Sequence, residues 1–184
     1  MGTTRSLSLY DPQEFLLVRF ITQSDFVSDD IRFITHTPKA GPSHAEMGTK
    51  QGTWIGAHAK GGVQERAANY CTPTWERQYK IPVTPAQYEA AMEFLRSQIG
   101  KPYDFRDICG IFFDRDWHTA GAWICSELVL VAMQHASLDV LNVQSEFCYR
   151  IDPERLHLSP LFIGRGVSQE ASATVAQVVV DVDH

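Results

Sequence analysis

The segment "TPAQYEAAMEFLRSQIG", Thr84 to Gly100, has few ways to satisfy its backbone other than as a helix. Thr84 suits the N-cap, Pro85 fits the first helical position because its missing N–H is not needed there, and Gln87 completes a capping box. Tyr88, Met92, Leu95 and Ile99 recur at helical spacing as a buried stripe, and Gly100 stops the helix. This helix divides the chain. Ahead of it, "FLLVRFI" at 15–21 is a short apolar run suited to a buried strand, and "SHAEMG" is a shorter strand. "GTWIGAHAKGGVQERA" reads as a hairpin around two glycines, and "WERQYKIPV" alternates Trp75, Arg77, Tyr79 and Ile81 as a strand does. Between them, "SDFVSDDIRFI" carries Phe26, Val27, Ile31 and Ile34 at helix-like spacing, followed by the Pro/Gly loop "HTPKAGPS".

Behind the helix, "KPYDFRDICGIFFDRDWHTAG" reads as an irregular segment with one or two helical turns. A second firm helix opens at Cys125, with Leu128, Val131 and Ala132 facing inward by their spacing. The last twenty residues begin as a linker and end in alternating valines, either an edge strand or a frayed tail. Strands followed by helices, with no internal repeat, predict one α+β domain over residues 1–164, with 165–184 appended.

Composition narrows the function classes. With 44% hydrophobic and 21% charged residues, the chain reads as a soluble globular protein. A net charge of −6 and no basic run argue against a nucleic-acid partner. No apolar stretch is long enough to span a bilayer and the N-terminus lacks a secretory h-region, so a cytoplasmic protein without membrane insertion is expected. Release by lysis or association with a phage particle would still allow action outside. Cys71, Cys109, Cys125 and Cys148 show no zinc-module spacing, and the seven histidines form no HExxH or His-x-His pair. Reduced thiols, and neither metal nor cofactor, are therefore expected.

The residues with chemical potential are few. An ordinary thiol, with pKa near 8.5, is only about 3% thiolate at neutral pH. A helix N-terminus and a nearby imidazole favour the thiolate, and that imidazole needs a third group to orient it. Cys125 begins a helix. His44 begins a short strand, and Glu46, two residues on, shares its face by strand alternation. His58 lies on the neighbouring strand of the hairpin, and Tyr103 precedes the Cys125 helix with a hydroxyl to offer an oxyanion. Ser126, Trp117 and Trp123 are candidate substrate contacts. Each also has a plainer reading: a packed thiol, a loop histidine, a solvated hairpin face, a turn tyrosine, tryptophans covering a core.

Taken in order, "SHAEM", "WIGAHAKGGVQER", "GKPYDF" and "WICSELV" resemble the circularly permuted branch of the NlpC-type, papain-like cysteine peptidases, with the YaeF/YiiX-like amidases closest. The resemblance spans roughly residues 15 to 160, and "CSEL" at a helix start is its most specific part. It implies a permuted papain-like α+β fold, a small antiparallel sheet or partial barrel packed on helices that include the Cys125 helix. It further implies Cys125 as nucleophile and His44 as general base and acid, acting on a peptide or other amide, with peptidoglycan-type peptides the suggested class. Where relatives often carry an orienting Glu, this chain has Gly56; Glu46 is then the preferred orienting carboxylate and His58 its rival. Two alternatives stand beside this: a lipid acyl hydrolase or acyltransferase using the same site, and a non-catalytic recognition or assembly module.

Overall fold

An apolar run with an arginine at its centre begins the ordered sheet: strand β1 covers Glu14–Thr22, with Leu16, Val18 and Phe20 wholly buried on one face. The computed structural model describes residues 14–22, 41–113, 117–163 and 166–167. β2 (His44–Gly48), β3 (Trp54–His58), β4 (Gly62–Arg66) and β5 (Trp75–Val83) follow, and a two-residue β6 (Gly166–Val167) closes the edge. All neighbours pair antiparallel, in the order β4-β3-β2-β1-β5-β6. Each strand predicted within these residues is present. The expected helix in "SDFVSDDIRFI" and the valine-rich end of the tail lie outside the described residues.

Strand alternation sorts the sheet into two unlike faces. Val18 pairs with Met47 and Phe20 with Ala45, and these join Ile55, Ala57, Val63 and Ile81 in the apolar core. The intervening positions put Arg19 directly opposite Glu46, so β1 and β2 carry a charged pair across one rung.

Helix α1 (Pro85–Gln98) forms as its caps dictate: the Thr84 hydroxyl accepts from the Gln87 N–H, and the Gln87 side chain accepts from the Thr84 N–H. Tyr88, Met92 and Leu95 are buried as expected, joined by Ala91. Ile99 departs from the predicted stripe. The helix ends at Gln98, so Ile99 sits at the C-cap with extended backbone and is 43% exposed.

Helix α2 (Phe105–Phe113) is longer than the one or two turns expected. Asp104 explains it: its Oδ1 accepts from the N–H groups of Arg106 and Asp107, satisfying two first-turn donors. Helix α3 (Cys125–His135) is buried along most of its length, including Leu128 and Ala132, while Val131 is only half-buried. A 3₁₀ helix (Ser145–Arg150) and a short α4 (Pro153–His157) return the chain to the sheet, where the Tyr79 hydroxyl meets His157 Nε2 at 2.7 Å. Among the described residues no helix is long and apolar enough to cross a membrane.

The Thr84 capping box makes a first prediction. Thr84→Ala should destabilise the protein by about 1 kcal/mol in urea unfolding, the usual magnitude for a lost N-cap; an unchanged midpoint would mean that α1 is held by its packing alone.

Candidate functional site

Two segments far apart in the sequence are joined before the Cys125 helix begins. The Trp123 N–H donates to the Pro102 carbonyl at 3.0 Å, and the Asp104 N–H donates to the Trp123 carbonyl at 3.0 Å, bridging Tyr103 to Trp123. The glycine hairpin holds the same segment from the other side. The Val63 N–H donates to the Lys101 carbonyl and the Gly100 N–H to the Val63 carbonyl, both at 2.9 Å. A Cβ at Gly62 would stand 2.0 Å from the Lys101 carbonyl oxygen, and φ there is +71°, so glycine is required twice over. "GG" and "GKPYD", quoted above as separate motifs, are thus one contact.

The result is that Tyr103 lies beside Cys125. The Tyr103 hydroxyl is buried without a conventional hydrogen-bond partner, and burial followed by the neighbouring Cys125, Asp107 and Asp104 holds its pKa above the usual phenol value. Ile124, the N-cap residue of α3, has extended backbone and gives no side-chain cap. The first-turn N–H groups of α3 are therefore not claimed by a capping side chain, and Cys125 sits among them.

His44 has both Cys125 and Glu46 as neighbours. Its buried Nε2 is 3.6 Å from Glu46 Oε2, an ion-pair approach longer than a hydrogen bond. Burial alone would keep His44 neutral, but Cys125 and then Glu46 overcome it and raise its pKa to about 10. Glu46 is wholly buried. Burial opposes its charge, yet His44 and Arg19 together hold its pKa below the usual carboxylate range. The Arg19 guanidinium donates to Glu46 Oε1 from Nε, at 2.6 Å, and from a terminal nitrogen, while the Tyr70 hydroxyl donates to Oε2 at 3.0 Å. Arg19 in turn lies over the Trp54 ring, 4.1 Å from its centroid.

Gly56 has a definite part in this. A Cβ there would stand 3.0 Å from Glu46 Cβ and 3.2 Å from His44 Nε2. The absence of a side chain at Gly56 leaves room for Glu46, from the next strand, and for His44. His58 is the second imidazole, its ring 4.7 Å from that of His44. Burial first, then the positive charges at His44, Arg66 and Arg19, push its pKa far down, so His58 stays neutral. A neutral ring supports an imidazolium less well than an ionised carboxylate does, which ranks Glu46 ahead of His58 as the orienting group.

The remaining candidates are scattered. Ser126 is fully buried in the first turn of α3, its hydroxyl without a protein partner. Trp123 is a packing residue: its ring meets Phe94 edge-on at 5.6 Å and its N–H donates to Gln98 Oε1 at 3.1 Å. Trp117 is 40% exposed and lines an apolar depression of about 440 Å³ with Phe105, Arg106 and Cys109. Phe105 connects that depression to the site, its ring 5.0 Å from that of Tyr103. Cys125 itself is only 1% exposed, unlike the exposed Cys109.

Sequence reasoning passed over Arg19 and Tyr70. A lone arginine inside "FLLVRFI" was the available signal, because a charge in a buried strand needs a partner. His44, Glu46 and His58 also bring ligand atoms within 4.8 Å of one another, a spacing a metal ion could use. Glu46 is already committed to Arg19 and Tyr70, and His44 to Cys125, so an ion there would have to break both arrangements.

No protein-family model matches the chain, and no curated protein is significantly similar to it.

The space at Gly56 can be tested directly. Gly56→Ala, ordinarily favourable or neutral in a strand, should destabilise this protein by about 1–3 kcal/mol in denaturant unfolding, the usual range for overpacking. A variant as stable as the parent would contradict the close fit of β3 against His44 and Glu46.

Proposed function

We propose that this chain is a cysteine-dependent hydrolase of the permuted papain-like (NlpC-type) kind, acting by thiolate attack on an amide carbonyl. The observation that carries the reading is the line Cys125, His44, Glu46, closed behind by Arg19. A thiol at an uncapped helix start stands beside an imidazole whose pKa is raised to about 10, and that imidazole is held by a buried, ionised carboxylate. Such an arrangement gives the nucleophile an adjacent base and that base an orienting carboxylate.

The steps follow from the positions. The Cys125 sulfur attacks the carbonyl carbon, and the carbonyl electron pair moves to oxygen. The developing oxyanion is received by the Cys125 backbone N–H and the Tyr103 hydroxyl. His44 then gives its proton to the leaving nitrogen as the C–N bond breaks, leaving an acyl group on sulfur. Water, deprotonated by His44, attacks the thioester and releases the acid and the free thiol. Glu46 keeps the imidazole ring oriented throughout. The apolar depression between Phe105 and Trp117 offers a place for a non-polar part of the substrate. Peptidoglycan-type peptides remain the substrate class suggested by the family resemblance.

One observation favours a second reading. Cys125 at 1% exposure suits a non-catalytic module as well as a covered site. p-Nitrophenyl acetate separates the two. The hydrolase reading expects a burst of p-nitrophenol near one equivalent, with the acetyl group recovered on the Cys125 peptide by mass spectrometry. Cys125→Ala should abolish the burst, whereas Tyr103→Phe should slow acylation by no more than about a hundred- to a thousandfold. Acetylation confined to other residues, or none at all, would leave the non-catalytic reading standing.

A further inference from the structure

A second cluster of ionisable side chains lies on the opposite flank of the Cys125 helix. Asp107 comes from α2, His118 from the connection that follows, and Glu127 from the first turn of α3. Each offers one ligand atom, and the three atoms lie within 4.8 Å of one another. Glu127 is 5% exposed, and its Oε2 is buried with no hydrogen-bond partner. A carboxylate oxygen in that condition is costly unless something neutralises it.

Asp104 is used up: its Oδ1 accepts from Arg106 and Asp107 N–H groups, and its Oδ2 accepts from the Thr119 N–H at 2.5 Å. The same Oδ2 is 3.5 Å from His118 Nδ1, and the His118 ring stacks on Tyr149 with centroids 4.9 Å apart. The ring is thus positioned by stacking, while its buried Nδ1 has no hydrogen-bond partner.

We propose that Asp107, His118 and Glu127 form a binding site for a divalent transition-metal ion of the zinc type, which pins α2 and its connection to the start of α3. Two carboxylates balance a divalent charge, and the imidazole favours zinc-type ions over magnesium or calcium, which prefer oxygen throughout. Three protein ligands leave one position of a tetrahedral ion for water. The ion's role is structural: it joins segments that flank Tyr103 and Cys125 without touching the reacting atoms. This inference is independent of the proposed hydrolase activity.

Cobalt(II) titration of the full chain, freed of metal beforehand, tests it. One equivalent should bind with visible d–d absorption and no thiolate-to-metal charge-transfer band, and Zn²⁺ should displace it. The signal should persist in the double variant His44→Ala/His58→Ala. It should be lost in Glu127→Gln and weakened at least tenfold in His118→Ala, a partly exposed loop position whose change leaves the core intact should Glu127→Gln fail to fold. Zn²⁺ should raise the Tm of the parent and not of His118→Ala. A thiolate band, a signal lost with His44 and His58 but kept without His118, or no stoichiometric binding would overturn the proposal.

Discussion

The buried ion pair between Arg19 and Glu46 is the constraint on which the site depends. Both side chains are nearly or wholly removed from water, and they face each other across the β1–β2 rung. Removing two charges from water is expensive, and the pair offsets that cost only when its remaining polar atoms are satisfied. Here they are: Arg19 also meets Glu76 at 3.7 Å and the face of Trp54, and Glu46 takes the Tyr70 hydroxyl. Removing one member of such a pair typically costs about 3–5 kcal/mol, because the other is left buried and uncompensated. The pair therefore fixes the β1–β2 register as well as the charge beside His44. A slip of one residue would turn one of the two groups toward the apolar core and leave the other buried without its partner.

From that pair the electrostatics run outward in alternating sign: Arg19 positive, Glu46 negative, His44 positive. Cys125 and then Glu46 favour the imidazolium, which explains how an imidazole can be raised to about 10 in a setting whose burial works against its charge. His58 stands outside this alternation. Pressed between positive neighbours, it contributes shape and a neutral ring face. The scaffold for the chain of charges is as specific as the charges: the hairpin glycine that admits Lys101 places Tyr103, and the glycine opposite Glu46 leaves room for the imidazole.

Much of this was legible in the residues themselves because the signals are local. Strand alternation placed His44 and Glu46 on one face, and the Thr84–Pro85–Gln87 start defined α1. What could not be read were the facts that depend on register between distant segments. "FLLVRFI" declares a buried strand but not which residue will face its arginine; the pairing with "HAEMG" decides that, across 27 positions of sequence. The length of α2 is not legible in a segment that reads as irregular, because it depends on the Asp104 carboxylate, which caps the helix and braces the following connection. Ile99 was assigned to the stripe by spacing, but the helix ends one residue before it. The burial of Cys125 likewise depends on tertiary packing, here with the Tyr103 segment bridged to Trp123 just ahead of the helix, which no spacing rule contains.

The central claim is that the His44 imidazole is held protonated by Cys125 and Glu46, against the effect of its burial. NMR observation of the His44 imidazole across a pH titration addresses it most directly. The account predicts a ring that stays protonated through pH 8 in the parent protein and loses its proton at clearly lower pH in Cys125→Ala. A His44 ring that titrates at or below the ordinary histidine value in the parent, unchanged by removal of Cys125, would contradict it.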